Sequence, residues 1–319
     1  MFELAVIMDP IEKINPATNS TFALLLEAQK RNWVIQYIEP HQVYIEDGVV
    51  FAAMKRLKVE DNSEYYFYFS DNEPIIKPLH TCDVTLLRKD PPFDINYLYL
   101  TYLLEHAEKN NHLVINKPQS VRDANEKMFA SWFPQCCPPT LVSSQACIIK
   151  KFLNQHKKTI CKPLDNMGGH LVFLAHETDP NINVVIETLT QAGQRPLMIQ
   201  KFIPEIKTSG DKRVLMIDGL AYPHALSRIP KDDDIRGNLA AGGTGMGANL
   251  TTKNKWICEQ IGPTLKEKGL LFVGLDIIGD YLTEINVTSP MGIRQIDQLF
   301  NVNISAYILD AIVKKYHAN

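Results

Sequence analysis

The stretch Val273-Gly274-Leu275-Asp276-Ile277-Ile278-Gly279-Asp280-Tyr281-Leu282-Thr283-Glu284-Ile285-Asn286-Val287 is the most informative in the chain. Two apolar runs flank a Gly279-Asp280 turn signal, and each holds an acid near its middle, which reads as a hairpin of two mostly buried strands. A carboxylate buried in such a strand is unfavourable unless it is paired or holds a cation. Register determines what the acids can do, because a slip of one residue moves a side chain to the opposite face. A two-residue turn would set Asp276 against Thr283 and place Glu284 and Asn286 on the face of Leu275 and Ile277. A three-residue loop, Gly279-Asp280-Tyr281, sets Asp276 against Glu284. Leu275, Ile277, Ile285 and Val287 then share the apolar face, while Asp276, Glu284 and Asn286 share the other. This second register satisfies both faces, and a turn with a bulge commonly builds it. It is the one expected.

Two carboxylates and an amide oxygen on one patch suit a hard divalent cation such as magnesium, which keeps some waters and takes further oxygens from phosphate. A solvated face on an edge hairpin is the alternative reading of so short a pattern. Asn286 favours the cation, since an amide adds a ligand oxygen without adding repulsion.

Upstream, Thr159-Ile160-Cys161-Lys162-Pro163-Leu164-Asp165-Asn166-Met167-Gly168-Gly169-His170 reads as a strand and a flexible loop, followed by a strand from Leu171 to Leu174. Gly168 and Gly169 let backbone N–H groups approach an anion closely, and Lys162 supplies a point charge for phosphate oxygens. Taken in isolation, a hairpin turn with a surface lysine is the better reading, and no P-loop sequence occurs. Met198-Ile199-Gln200-Lys201-Phe202-Ile203-Pro204 reads either as a connector offering backbone groups and an apolar wall to an adenine ring, or as a plain core strand. From Arg228-Ile229-Pro230 to Gly245 the chain is rich in glycine and expected to lack regular structure, at a length usual in lids and binding loops. Arg213, Arg228, Arg236 and Arg294 lie in or near these polar segments, where arginine's planar fork suits carboxylate or phosphate. One or two of them are expected to be plain surface charges.

Towards the N-terminus, strands alternate with helices. Strands are expected at Leu4–Met8, Val34–Ile38, Val84–Leu87 and Leu113–Ile115, with helices from Asn19 or Ser20 to Arg31 and from Tyr97 to Asn110. This pattern gives a doubly wound, mainly parallel sheet covered on both faces. Ligands of such sheets sit beyond the carboxyl ends of the strands, where Asp9 and Arg88 fall. Asn116-Lys117-Pro118-Gln119-Ser120 reads as a boundary, and Ser120 with Asp123 as a capping box for a helix carrying Lys127. The expected division is an α/β unit at 1–121, a smaller α+β lobe at 122–200 and a strand-rich lobe at 201–319. The last contains a hairpin at Asp218-Gly219, a helix from Lys253 to Lys268, the acidic hairpin and a closing helix from Ile304.

At 319 residues the chain exceeds the size at which one core usually divides. Its 33 Lys+Arg against 36 Asp+Glu leave a net charge of −3, which provides no basic field for nucleic acid. The run Lys231-Asp232-Asp233-Asp234 reads as solvated loop. No apolar run approaches the roughly 20 residues that span a bilayer, and no leader pattern precedes the first strand, so a soluble cytoplasmic protein is expected. Six cysteines without paired metal spacing, two of them adjacent at Cys136-Cys137, read as reduced thiols.

Taken in order, these segments resemble the ATP-grasp superfamily and, more narrowly, the bacterial glutathione synthetases. The resemblance is carried by Met8-Asp9-Pro10, Leu24-Leu25-Leu26-Glu27-Ala28-Gln29, Arg88-Lys89-Asp90-Pro91-Pro92-Phe93-Asp94, Asn116-Lys117-Pro118-Gln119-Ser120 and Asn125-Glu126-Lys127. It continues through Lys162-Pro163-Leu164-Asp165, Gly210-Asp211-Lys212-Arg213-Val214, Arg236-Gly237-Asn238-Leu239-Ala240-Ala241-Gly242-Gly243, Ile261-Gly262-Pro263-Thr264-Leu265-Lys266-Glu267-Lys268-Gly269 and the acidic hairpin to Thr288-Ser289-Pro290. It spans essentially the whole chain.

The resemblance implies an N-terminal substrate-side domain followed by a two-lobed ATP-grasp fold. It also implies ATP-dependent joining of γ-glutamylcysteine to glycine through an acyl phosphate, yielding glutathione, ADP and phosphate. By position, Lys127 and Lys162 look like lysines on ATP phosphates, and Gly168 and Gly169 like the phosphate loop. Gln200, Lys201, Phe202 and Ile203 look like the adenine connector, with Asp211 also on the nucleotide. Asp276, Glu284 and Asn286 look like ligands of magnesium, for which manganese can substitute. Arg213, Arg228, Arg236 and Asn238 look like the catalytic set, and Arg88, Arg228, Arg236 and Arg294 like substrate contacts. A homotetramer is implied, with neither nucleic acid nor membrane as partner.

Two departures from the family pattern stand out. Asn166 replaces the first glycine of the phosphate loop and is expected to preserve it by tolerating positive φ. The lid carries Lys231-Asp232-Asp233-Asp234 and ends Gly243-Thr244-Gly245-Met246, where small residues and an arginine are more usual. Two other readings stay open at this level. One is a ligase of the same scaffold joining another pair, such as D-alanine with D-alanine, or adding glutamate. The other is a nucleotide-binding regulator without catalysis, against which the full Asp276/Glu284/Asn286 set and both lysines weigh.

Overall fold

The computed structural model describes residues 1–232, 234–239 and 242–318; Asp233, Ala240 and Ala241 of the lid stretch, and Asn319, lie outside the described residues. The chain begins with β1 (Glu3–Ile7), whose central residues are buried on both faces, and α1 (Ser20–Lys30), which Asn19 caps by accepting from Phe22 N. β2 (Val34–Ile38), β7 (Val84–Leu87) and β8 (Leu113–Ile115) complete a parallel core in which β1 pairs with β2 and β7, and β7 with β8. Between β2 and β7, the strands β3 (Val43–Glu46), β4 (Val49–Val59), β5 (Phe67–Phe69) and β6 (Ile75–Pro78) extend that core as an antiparallel flank hung on β4. This flank is the part of the sheet that the periodicity does not reveal, because β5 and β6 are short and half-exposed. α2 (Ile95–Lys109) covers one face of the sheet. α8 (Ile304–Ala318) returns from the C-terminus to pack on α1 over the other, through Ile304, Ile308, Leu309 and Ile312.

α3 (Pro118–Asp123) leads into a four-stranded antiparallel sheet of order β11-β10-β12-β9, made of β9 (Thr140–Ser143), β10 (Lys158–Pro163), β11 (Phe173–His176) and β12 (Leu197–Lys201). α4 (Ala146–His156) and α5 (Ile182–Thr190) bury Ile149, Leu153, Ile186 and Leu189 against it. The third sheet has the order β15-β14-β13-β16-β17, from β13 (Asp211–Ile217), β14 (Leu220–Ile229), β15 (Thr244–Asn249), β16 (Phe272–Ile278) and β17 (Tyr281–Asn286). α6 (Thr252–Glu267) seals one face of it through Ile257, Ile261 and Leu265, and α7 (Ile293–Phe300) packs at its other end.

Two expectations change here. Ser120 does not cap a helix carrying Lys127: it lies inside α3, its hydroxyl donates to Lys268 O, and Lys127 sits in the turn before a 3-10 stretch, with Asn125 Oδ1 accepting from Lys127 N and Met128 N. The structure-poor loop is also shorter at both ends, because Ile229 pairs with Thr244 and Arg228 with Gly245. Arg228 is therefore a strand residue.

Asn116, buried at the end of β8, ties the N-terminal sheet to the third one. Its amide donates to Phe272 O and Val287 O, both at 2.8 Å, and its Oδ1 accepts from Phe272 N at 2.9 Å. These bonds fix where β16 begins and where β17 ends. Asn116→Ala should cost roughly 2–4 kcal/mol, since buried backbone groups lose their partners. Denaturant unfolding checks it, and a loss below about 0.5 kcal/mol would show that the stitch carries little.

Candidate active site

The acidic hairpin has Asp276 directly opposite Glu284, with Leu275 opposite Ile285 and Gly274 opposite Asn286. The turn itself has two residues, Gly279-Asp280, bracketed by Ile278 and Tyr281, with Gly279 at φ +57. The extra residue needed to bring the acids together is Thr283, bulged between the Asp276 and Ile277 pairs rather than placed in the loop. The bulge has a tertiary partner: Lys162 Nζ donates to Thr283 O at 3.0 Å, while Thr283 Oγ1 donates back to Asp276 O at 3.1 Å. Leu275, Ile277, Leu282, Ile285 and Val287 join the core beneath α6. Asp276, Glu284 and Asn286 face a cavity of about 610 Å³.

Across the sheet, Arg213 stands opposite Asp276, and Asp211 opposite Arg228. Arg213 grips Asp276 with two hydrogen bonds, Nε to Oδ1 at 2.6 Å and Nη2 to Oδ2 at 3.1 Å, and Arg228 Nη2 reaches Oδ1 at 2.9 Å. Asp276 is only 4% exposed. Burial alone would raise its proton affinity, but the two guanidiniums outweigh it and hold the carboxyl well below the usual range. Arg228 also pairs with Asp211. There burial wins, pushing Asp211 up to about 7 against the pull of Arg228, and its Oδ1 is buried without a hydrogen-bond partner among the described residues.

Lys127 Nζ lies 3.4 Å from Glu284 and donates to Asn166 O; Lys162, buried, has its ammonium drawn below lysine's usual range by desolvation. Gly168 and Gly169 both have positive φ, but Asn166 does not; in the loop, Leu171 is the non-glycine residue that does, so Asn166 fits by its carbonyl contact to Lys127 instead. A Cβ on Gly169 would meet Asn238 Oδ1 at 2.8 Å and Arg236 Cδ at 3.0 Å, so these two residues lie directly on the Gly168-Gly169 loop. Gln200, Lys201, Phe202, Ile203, Arg236 and Asn238 line the same cavity. Arg236 is held by Asp234 at 2.7 Å.

Arg88 and Arg294 do not line it. Arg88 is buried, donating to Thr21 Oγ1 and Pro290 O and lying over the Phe272 ring; Arg294 pairs with Asp61 and lies over Phe22. Both guanidiniums are engaged by these partners here. Glu126, by contrast, was not singled out and is central. It is half-buried, its Oε1 accepts from Val287 N, Thr288 N and Thr288 Oγ1, and desolvation raises its pKa with Glu284 adding to the rise. Its one sequence signal is its place beside Lys127.

The donor chemistry fits a hard cation. Asp276 and Glu284 supply carboxylate oxygens, and Asn286 commits its Nδ2 to Gly274 O at 3.2 Å, which leaves its Oδ1 as the available atom. Each carboxylate oxygen has two lone pairs, so Asp276 can keep its arginines and still take an ion. The acids Asp90, Glu126, Asp211, Asp276 and Glu284 lie near balance with the bases Lys127, Lys162, Lys201, Arg213, Arg228 and Arg236 around the cavity, so an added divalent ion would strengthen its hold on a polyanion.

Family models described as "Prokaryotic glutathione synthetase, N-terminal domain" and "Prokaryotic glutathione synthetase, ATP-grasp domain" match residues 2–122 and 126–301. A glutathione synthetase of Coxiella burnetii is 51% identical over 314 residues, covering 98% of this chain and 97% of that one. Another, from Pseudomonas aeruginosa, is 50% identical over 315 residues, covering 99% and 98%. Among solved structures, the D-cycloserine synthetase DcsG is similar with a TM-score of 0.68 at 12% identity, covering 98% of this chain and 99% of that chain. That last likeness is one of fold alone.

The buried Arg213–Asp276–Arg228 cluster carries its own consequence for stability. Asp276→Asn leaves the buried Arg213 without a counter-ion and Arg228 with Asp211 alone, and should cost about 3–5 kcal/mol in denaturant unfolding. A loss under about 1 kcal/mol would mean that water already screens the cluster.

Proposed function

The chain belongs to the prokaryotic glutathione synthetases, and from that premise we propose how its own residues carry out the ligation. It is an ATP-dependent ligase that joins γ-glutamylcysteine to glycine, yielding glutathione, ADP and phosphate. ATP and a divalent metal ion come with the family. The observation that supports our assignment of roles is the opposition of Asp276 and Glu284, with Asn286 beside them, on a sheet face that lines the cavity.

A carboxylate resists attack by an amine because its oxygen is a poor leaving group, so the dipeptide's carboxylate must first be phosphorylated. We assign Gln200, Lys201, Phe202 and Ile203 to the adenine, Asp211 to the nucleotide, and Lys127, Lys162, Gly168 and Gly169 to its phosphates. Both lysines now donate to backbone carbonyls, Asn166 O and Thr283 O. Exchanging a neutral acceptor for a phosphate oxygen is favourable, because charge-assisted bonds are roughly twice as strong. Asp276, Glu284 and Asn286 would hold magnesium, or manganese in its place, which would supply positive charge to offset that of the phosphates. Arg213 and Arg228, fixed by Asp276, orient the donor carboxylate and stabilise the oxyanion formed when glycine attacks the acyl phosphate. Arg236 and Asn238, lying on the phosphate loop, keep water from that intermediate.

The division at 1–121, 122–200 and 201–319, a homotetrameric assembly and a cytoplasmic setting complete this reading. No helix among the described residues is long and apolar enough to cross a membrane.

Two measurements test it. ADP release should require γ-glutamylcysteine and rise sharply on adding glycine, and a response to D-alanine alone would assign a different pair. Glu284→Ala removes a partly exposed side chain, so the fold should persist while turnover falls a hundredfold or more, about what loss of one transition-state contact causes. Near-normal turnover of this variant at saturating magnesium would remove Glu284 from the metal site.

A further inference from the structure

Behind the wall assigned to the adenine runs a short hydrogen-bond relay with a fixed direction. Gln200, 4% exposed, lines the cavity from β12, and Thr140 stands opposite it on β9, outside the cavity lining. Gln200 Nε2 lies 3.1 Å from Thr140 Oγ1, and Thr140 Oγ1 lies 2.7 Å from Pro138 O. A carbonyl oxygen can only accept, so the single hydroxyl proton of Thr140 goes to Pro138. The hydroxyl must then accept from Gln200, which identifies the end of the amide beside it as the NH2 group. Oε1 is left as the end of that amide available to the cavity. The next two backbone donors are engaged elsewhere: Lys201 N donates to Pro139 O at 2.9 Å and Phe202 N to Lys158 O at 3.0 Å.

The direction matters because purine bases differ in hydrogen-bond sense at one ring position. A 6-amino purine presents N–H donors there, whereas a 6-oxo purine presents an acceptor. An amide oxygen facing that edge accepts from the first and confronts the second with lone pairs. Turning the amide over would offer NH2 to the oxo group, but Oε1 would then face Thr140 Oγ1. Either two acceptors meet, or the hydroxyl turns to Gln200 and leaves the carbonyl of the buried Pro138 without its donor. We propose that Thr140 is a positioning residue: it holds the Gln200 amide with its oxygen toward the base and so restricts the ligase to 6-amino nucleoside triphosphates. This rests on the assignment of Gln200 to the adenine, and adds the residue that sets the polarity of that contact.

The test uses the full-length enzyme with γ-glutamylcysteine and glycine, and compares ATP with inosine triphosphate, in which an oxo group replaces the 6-amino group. Thr140→Val keeps the shape of the side chain and removes the hydroxyl, so the amide is free to turn. The ratio of kcat/KM for ATP over inosine triphosphate should fall about tenfold from its wild-type value, the effect of one buried hydrogen bond. The change should come from a higher KM for ATP and a lower KM for the inosine nucleotide, with KM for γ-glutamylcysteine and glycine nearly unchanged. Thr140→Ser, which keeps the hydroxyl, should retain the wild-type ratio. An unchanged ratio in Thr140→Val would overturn the proposal, as would a lowered melting temperature with equal losses on both nucleotides. Gln200→Leu distinguishes this from failure of the adenine assignment. It should remove most of the discrimination between the two nucleotides; if it does not, Gln200 is not at the base and the assignment falls together with the relay. If it does while Thr140→Val keeps the wild-type ratio, the relay alone is wrong.

Discussion

Asp276 lies buried between Arg213 and Arg228, and the third sheet is organised by that contact. Removing a carboxylate and two guanidiniums from water is unfavourable by several kcal/mol per ion unless their geometry compensates. Here adjacent strands supply the compensation in register: Arg213 on β13 faces Asp276 on β16, and Arg228 on β14 faces Asp211 on β13. A slip of one residue would turn Leu275 and Val214 into the cavity and push the charges into the apolar layer under α6. Charge pairing and core packing therefore enforce the same alignment, and the oxygens on that face cannot drift independently of the arginines.

The same economy of partners extends to the phosphate side. Lys162 fixes the Thr283 bulge, and the bulge is what sets Glu284 opposite Asp276. Lys127 reaches Glu284 and the Asn166 carbonyl together, while its neighbour Glu126 holds the backbone at Val287 and Thr288. The lysines and acids are thus coupled through short backbone links, so displacement of one propagates to the others over a few ångströms.

Much of this was legible along the chain because it depends on alternation. The pattern of the acidic hairpin places its acids opposite one another and its apolar residues on the core face. It misses the position of the extra residue, since a bulge at Thr283 is favoured by Lys162, separated from it by 121 positions. Ser120 illustrates the same limit: its local pattern suits a cap, yet its hydroxyl binds Lys268 O, 148 positions away. Arginine at a strand end marks a ligand site or a structural clamp equally well, and the partners of Arg88, namely Thr21, Pro290 and the Phe272 ring, come from distant parts of the chain that no local pattern reveals. Glu126 stays silent in sequence because what distinguishes it is its contact with Val287 and Thr288, more than 160 positions away.

The segment from Val287 to Gly292 is where these constraints meet. Asn116 holds Val287, Glu126 holds Thr288, Arg88 holds Pro290, and Arg213 holds Met291 O at 3.1 Å. The Ser20 hydroxyl accepts from Gly292 N at 3.0 Å. Its anchors come from the N-terminal sheet, from the turn that carries Lys127 and from the third sheet. A loop normally owes its mobility to exposed backbone and few partners; this one has neither property. Thr288 to Gly292 all line the cavity. These five residues therefore form a firmly anchored edge of it, held from three parts of the fold at once.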